Sequence, residues 1–150
     1  MHKGYCQCCS IQYRIINDPF DCCYCHCSIC RRLTGSAMGA YGSVPKHEFS
    51  WIQGEELLTR YQQNTTTTRL FCSSCGSFLL TTHSADKQNV FITLGCLDSE
   101  MESGPEYHQF MGSKASWENN HDAIAQHDAW PEWRITQLRN SLKKQGTKLT

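Results

Sequence analysis

Apolar residues recur at strand-like intervals through most of the chain and at helical spacing only near its end. Residues 4–16 carry Tyr5, Ile11, Tyr13, Ile15 and Ile16 with polar residues between them, which predicts a half-buried strand closed by a turn at Asn17-Asp18-Pro19. Residues 22–35 read as a loop for a metal ion, running into a short helical turn at 28–33. A strand over residues 37–44 is stopped by Pro45, which cannot donate to a ladder. Residues 49–52 and 57–62 predict strands around Gln53-Gly54-Glu55-Glu56. Residues 65–71 predict another, because a run of four threonines prefers an extended backbone. Residues 78–82 and 90–94 follow on either side of a polar turn. Two stretches read as helix: residues 117–126, and residues 132–144, which place Trp133, Leu138 and Leu142 near one face. Pro131 suits the first turn of the second helix, and Gly146 stops it. Short strands spaced about 8 to 12 residues apart, with helix mostly at the end, predict a mainly β fold.

The length of 150 residues fits a single domain over residues 1–150, and 39% hydrophobic residues suffice for a core. Fourteen basic residues balance fourteen acidic ones. That balance argues against a nucleic-acid partner held by bulk phosphate attraction and against a basic membrane-binding face. No apolar run approaches the roughly 18 residues that span a bilayer, and Met1 to Gln7 shows no apolar signal region. The expected location is therefore the cytoplasm, where the acceptor pattern Asn64-Thr65-Thr66 would stay unglycosylated.

Eleven cysteines change the picture. An odd count without an export signal argues against a disulfide framework, and seven of them fall in clusters spaced by one or two residues. Such clusters chelate ions, so reduced thiols are expected. Cys72-Ser73-Ser74-Cys75-Gly76 can present two thiolates from a tight turn, with Gly76 permitting a left-handed backbone. Cys6-Gln7-Cys8 on a strand would point two more to the same face. Together Cys6, Cys8, Cys72 and Cys75 predict a closed tetrahedral site that clamps a long loop. The third cluster, Cys25-His26-Cys27-Ser28-Ile29-Cys30, offers three thiolates, with His26 turned away. Two readings stand: an open catalytic zinc whose fourth position takes water or substrate, or a closed structural site completed by Cys22, Cys23 or Cys9.

Three motifs now resemble a known family. Gly4-Tyr5-Cys6-Gln7-Cys8, Cys25 through Gly35, and Arg69-Leu70-Phe71-Cys72-Ser73-Ser74-Cys75-Gly76 look like the glutathione-dependent formaldehyde-activating enzymes, a family that includes the centromere protein V group. The likeness continues through Phe91-Ile92-Thr93-Leu94-Gly95, His108-Gln109-Phe110 and Lys114 to Trp117, and so covers about residues 4–117, leaving a helical tail at about 131–145. It implies an Mss4-like fold, a β-tent built around zinc. It also implies two Zn2+ ions per chain, a structural one on Cys6, Cys8, Cys72 and Cys75 and a catalytic one on Cys25, Cys27 and Cys30. The sequence departs from the family at Cys9, where relatives usually carry glycine, and in having the Cys22-Cys23 pair.

The activity implied is that of a carbon–sulfur lyase joining the glutathione thiol and formaldehyde as S-hydroxymethylglutathione, or acting on a related thiol adduct. The competing reading is a non-catalytic adaptor module with two structural zincs. Glutathione carries two carboxylates, so cationic donors are expected near the second zinc, with Arg31 and Arg32 the first candidates and Gly35 a source of backbone N–H groups. His108 matches a family position and is a candidate for proton transfer, against the alternative of a packed, hydrogen-bonded histidine. The expected partner is a small-molecule thiol, without nucleic acid or membrane and with room for a homodimer.

Overall fold

The computed structural model describes residues 1–144. In chain order they form β1 (His2–Tyr5), β2 (Gln12–Ile15), β3 (Phe20–Cys25), α1 (Ser28–Thr34), β4 (Gly39–Pro45), β5 (Phe49–Gln53) and β6 (Leu58–Gln62). There follow β7 (Thr67–Cys72), β8 (Phe78–His83), β9 (Asp86–Thr93), β10 (Tyr107–Gln109), β11 (Ala125–Gln126) and α2 (Glu132–Lys144). The fold is mainly β and of the Mss4-like kind. Strands β1-β2-β5 make a three-stranded antiparallel sheet, and the other eight form one sheet in the order β11-β10-β3-β4-β9-β8-β7-β6. All described pairings are antiparallel except the parallel pairings of β10 with β3 and with β11.

Side-chain parity decides what each face of the large sheet becomes. Leu70, Leu80, Val90, Ile92, Val44 and Cys22 turn one way and meet Tyr13 and Ile15 of the small sheet and Ile11 just before it, so the main core lies between the two sheets. The opposite face presents the odd-numbered residues of the same strands: Cys23 and Cys25, Tyr41 and Ser43, Thr67 and Arg69, Thr81 and His83, and Phe91. That face is polar, yet part of it is buried. Helix α2 packs over it through Arg134, which pairs with Asp21, donates to the Tyr107 hydroxyl at 2.9 Å and lies 5.4 Å from the centre of the Phe91 ring. Arg134, rather than Trp133, marks the inward face of α2; Trp133 is 42% exposed and meets Tyr107 edge-on.

Three sequence expectations need correction. Residues 4–16 are not one strand, because Cys6 to Cys9 form a turn in which the Cys9 N–H donates to the Cys6 carbonyl at 2.8 Å. Residues 22–25 belong to strand β3 rather than to a loop, their backbone paired with β4 and β10. Consecutive Cys22 and Cys23 are both buried because both faces of the sheet are covered there, Cys22 facing the main core and Cys23 the opposite cluster. Residues 117–126 are not helical. The Asn120 and Asp122 side chains there accept from the backbone N–H groups of Asp122 and Ile124 at 3.2 and 3.3 Å, bonds that compete with a helix. Helix α2 runs over Glu132–Lys144 as the pattern predicted, while its proposed stop at Gly146 lies outside the described residues.

Candidate metal centres and the cavity between them and the C-terminal helix

The first centre is made by two knuckles of similar construction. The turn after β1 carries Cys6 and Cys8, and the turn after β7 carries Cys72 and Cys75. In each, the residue after the second cysteine is left-handed, Cys9 at φ 59° and Gly76 at φ 76°. The two knuckles are tied together by the Gln7 N–H donating to the Ser77 hydroxyl at 2.9 Å. All four sulfurs lie within 4.8 Å of one another, with Cys6 to Cys8 at 3.4 Å and Cys8 to Cys72 at 3.8 Å. Tetrahedral zinc with sulfurs at ~2.3 Å would hold them ~3.8 Å apart, so the donor set fits that ion. The spacing is far beyond a disulfide bond, and all eleven cysteines are free. Strand geometry does not align Cys6 and Cys8 as the sequence suggested; the turn does.

The second centre sits where β3 passes into α1. Cys25 ends the strand, Cys27 caps the helix by accepting the Cys30 N–H on its sulfur at 3.3 Å, and Cys30 lies in the first turn. Their sulfurs also lie within 4.8 Å of one another. Contacts with Cys25 and Cys30 hold the Cys27 thiol far below its ordinary pKa, and contact with Cys27 drives Cys25 far above it. Three thiols sharing their protons this way can surrender them to a divalent cation. None of Cys9, Cys22 and Cys23 joins the group. Cys22 points into the main core, Cys9 is exposed on the first knuckle, and the Cys23 sulfur accepts from the Gln109 side chain at 3.4 Å.

His26 turns away from the trio. Its ring is buried and its Nε2 lies 2.7 Å from Nδ1 of His108. Burial, then the neighbouring His108, lowers the His26 pKa. His108 in turn stacks on Tyr24 and lies 2.9 Å from Asp122 Oδ2 and 3.0 Å from Asn120 Nδ2. His108 is thus packed and hydrogen-bonded. Arg31 and Arg32 occupy the last turn of α1, where cations complement the helix dipole, and Gly35 is its left-handed cap at φ 62°.

A cavity of about 700 Å³ opens between the polar face of the large sheet and α2. Cys25, Cys27 and Cys30 lie on its wall, whereas Arg31, Arg32, Gly35 and His108 do not. Its cationic lining comes from Arg69 and Arg134, while burial lowers the pKa of His83 beside them. The Tyr41 hydroxyl is buried on this wall without a hydrogen-bond partner; burial raises its pKa, and the Cys30 thiol raises it further. Sequence reasoning missed this wall, although Thr67-Thr68-Arg69 and Thr81-Thr82-His83 put polar residues at alternate positions of two otherwise apolar strands.

These features define a small β-protein of the Mss4-like kind with two cysteine groups of metal-binding geometry. The chain belongs to the glutathione-dependent formaldehyde-activating enzyme family, whose model matches residues 1–113. A Halomonas elongata protein named "Putative glutathione-dependent formaldehyde-activating enzyme" is 27% identical over 124 residues, covering 77% of this chain and 78% of its own. A crystal structure of a Rhodobacter sphaeroides protein matches with a TM-score of 0.58 at 24% identity, covering 69% of this chain and 97% of that one, a likeness of fold. Helix α2 lies beyond the family match. Among the described residues, no helix is long and apolar enough to cross a membrane.

Proposed function

We propose that the protein is a zinc-dependent carbon–sulfur lyase, with a structural ion on Cys6, Cys8, Cys72 and Cys75 and a catalytic ion on Cys25, Cys27 and Cys30. Its reaction is the joining of the glutathione thiol and formaldehyde as S-hydroxymethylglutathione, or the reverse. The observation that carries this reading is a three-thiol group, with no fourth cysteine in it, on the wall of a cavity of about 700 Å³. Three protein ligands and an accessible fourth position are the pattern of catalytic rather than structural zinc.

The chemistry balances without an oxidant. The thiol sulfur forms a bond to the aldehyde carbon, the carbon–oxygen π bond breaks, and the thiol proton ends on that oxygen. Zinc held by the trio would supply a place where a thiol is favoured as thiolate at neutral pH. The chain's own groups do the rest. Cys25, Cys27 and Cys30 orient the substrate sulfur toward the cavity, and the unpartnered Tyr41 hydroxyl offers a donor to the oxygen that gains charge. Helix α2 covers the polar sheet face and restricts water.

Exchange of formaldehyde with S-hydroxymethylglutathione, followed by NMR on zinc-loaded protein, tests the reading. The protein accelerates exchange, and Cys27→Ala returns the rate to that of buffer while losing about one zinc per chain and keeping its fold. A Cys27→Ala variant exchanging at the wild-type rate would contradict it.

A further inference from the structure

The cavity wall carries recognition chemistry that the reaction at sulfur leaves unused. Arg69, on β7, donates from Nε to Gln63 Oε1 at 2.9 Å and from Nη1 to Thr81 Oγ1 at 2.6 Å, and its guanidinium lies 5.6 Å from the centre of the Phe78 ring. Both polar partners are neutral. Among the described residues no carboxylate forms an ion pair with it. The two acidic side chains on the wall are committed elsewhere. Asp21 holds Arg134 and accepts from the Tyr107 hydroxyl at 2.6 Å. Asp86 accepts from the Asn89 side chain at 3.0 and 3.1 Å and from the Gln88 and Asn89 backbone at 3.3 and 3.2 Å. Arg69 therefore presents to the cavity a charge that the described residues do not balance. A guanidinium is suited to grip a carboxylate through paired N–H donors.

A second group points to the same kind of ligand. Gln109 is only 6% exposed, and its Oε1 is buried without a hydrogen-bond partner while its Nε2 is taken up by the Cys23 sulfur. A buried acceptor left empty is costly in the free protein, so a ligand N–H that reaches it is favoured. Gln109 is the register partner of Cys25, which places it beside the trio. Arg69 stands farther off, beyond Phe78 and Tyr41, whose ring centres are 6.0 Å apart and which pack with Cys25 and Cys30.

We propose that Arg69 is the residue that anchors a carboxylate of the thiol substrate, with Gln109 Oε1 accepting an amide N–H nearer the sulfur. This rests on the thiol-binding reading above and deepens it. It assigns substrate recognition to β7 and β10 rather than to the arginines that follow Cys30.

Cobalt-loaded protein tests it, because a thiol arriving at the trio alters the cobalt absorption spectrum whether or not any reaction follows. Glutathione and its diethyl ester, in which both carboxylates are capped, are titrated into wild type, Arg69→Gln and Arg69→Lys. Wild type binds glutathione about 10- to 100-fold more tightly than the ester, the size expected of a charge-assisted hydrogen-bonded contact. Arg69→Gln loses that preference by weakening glutathione alone, and Arg69→Lys keeps part of it. Equal affinity of wild type for acid and ester overturns the proposal without recourse to a variant, as does an undiminished preference in Arg69→Gln. If neither thiol alters the spectrum of wild type, the thiol-binding reading falls and takes this proposal with it. Thiol binding without carboxylate preference overturns this proposal alone.

Discussion

Cys9 holds a left-handed backbone at φ 59°, the conformation that Gly76 supplies without a β-carbon at the matching place in the other knuckle. Glycine would adopt this conformation at position 9 without the β-carbon's steric cost. Cys9→Gly is expected to keep both metal ions and to stabilise the fold by up to about 1 kcal/mol. That figure is the relief of left-handed strain less the extra freedom of glycine in the unfolded chain. Urea unfolding together with metal analysis checks this, and loss of an ion would make Cys9 a ligand. Cys22 and Cys23 make a second residue-scale case. Burial pushes their thiols up to about 11 and about 12, so at neutral pH they stay protonated and unreactive. Mass spectrometry of native protein treated with iodoacetamide should find both unlabelled until the chain unfolds. Rapid labelling of either in native protein would contradict their place in the fold.

Helix α2 is attached to the large sheet by a buried ion pair as well as by apolar contact. Arg134 and Asp21 are each 11% exposed in their side chains, and the pair is completed by the Tyr107 hydroxyl. Removing one partner leaves a buried charge uncompensated, at a cost of about 3–5 kcal/mol. Arg134→Leu should therefore free α2 from the sheet, read as faster amide hydrogen exchange in α2 with β8 and β9 still protected. Unchanged exchange in α2 would show that the apolar contacts hold the helix alone. The sequence made some elements plain and hid others for physical reasons. Strands β5, β6, β8 and β9 and helix α2 were legible as runs of strand- or helix-favouring residues set off by turn formers, although on α2 it is Arg134 and not Trp133 that faces inward. The break at Cys6 to Cys9 was not, since no proline and no glycine marks that turn. Strand β3 was hidden because cysteine serves as ligand and as core residue alike, and three-residue β10 is too short to show a period. The grouping of seven cysteines into four and three was legible because each knuckle is local in sequence. The cavity wall was not, because Tyr41, Arg69, Thr81, Gln109 and Arg134 meet only after the sheet has formed.

Across the whole molecule the four-thiol centre joins the turn leaving the small sheet to the turn leaving β7 of the large one. An ion there would close the loop between residues 6 and 75 and would hold the two sheets in register over their shared core. Structural zinc contributes roughly 10 kcal/mol or more in small domains, comparable to the ~5–15 kcal/mol net stability of a typical domain. Cys72→Ser should accordingly yield insoluble or zinc-depleted protein. A soluble variant with full metal content and unchanged melting temperature would remove the centre from its structural place. The three-thiol centre, set apart on the opposite face of the large sheet, should not carry that load.

In the proposed arrangement one centre is closed by four protein sulfurs while the other keeps a position open to the cavity. Cadmium NMR of the metal-substituted protein tests it most directly, since each ion gives its own resonance, placed by the number of sulfurs around it. Two resonances are expected, one typical of four thiolates and one of three thiolates with a lighter ligand, and added glutathione should shift only the second. Two four-thiolate resonances, both indifferent to glutathione, would contradict it.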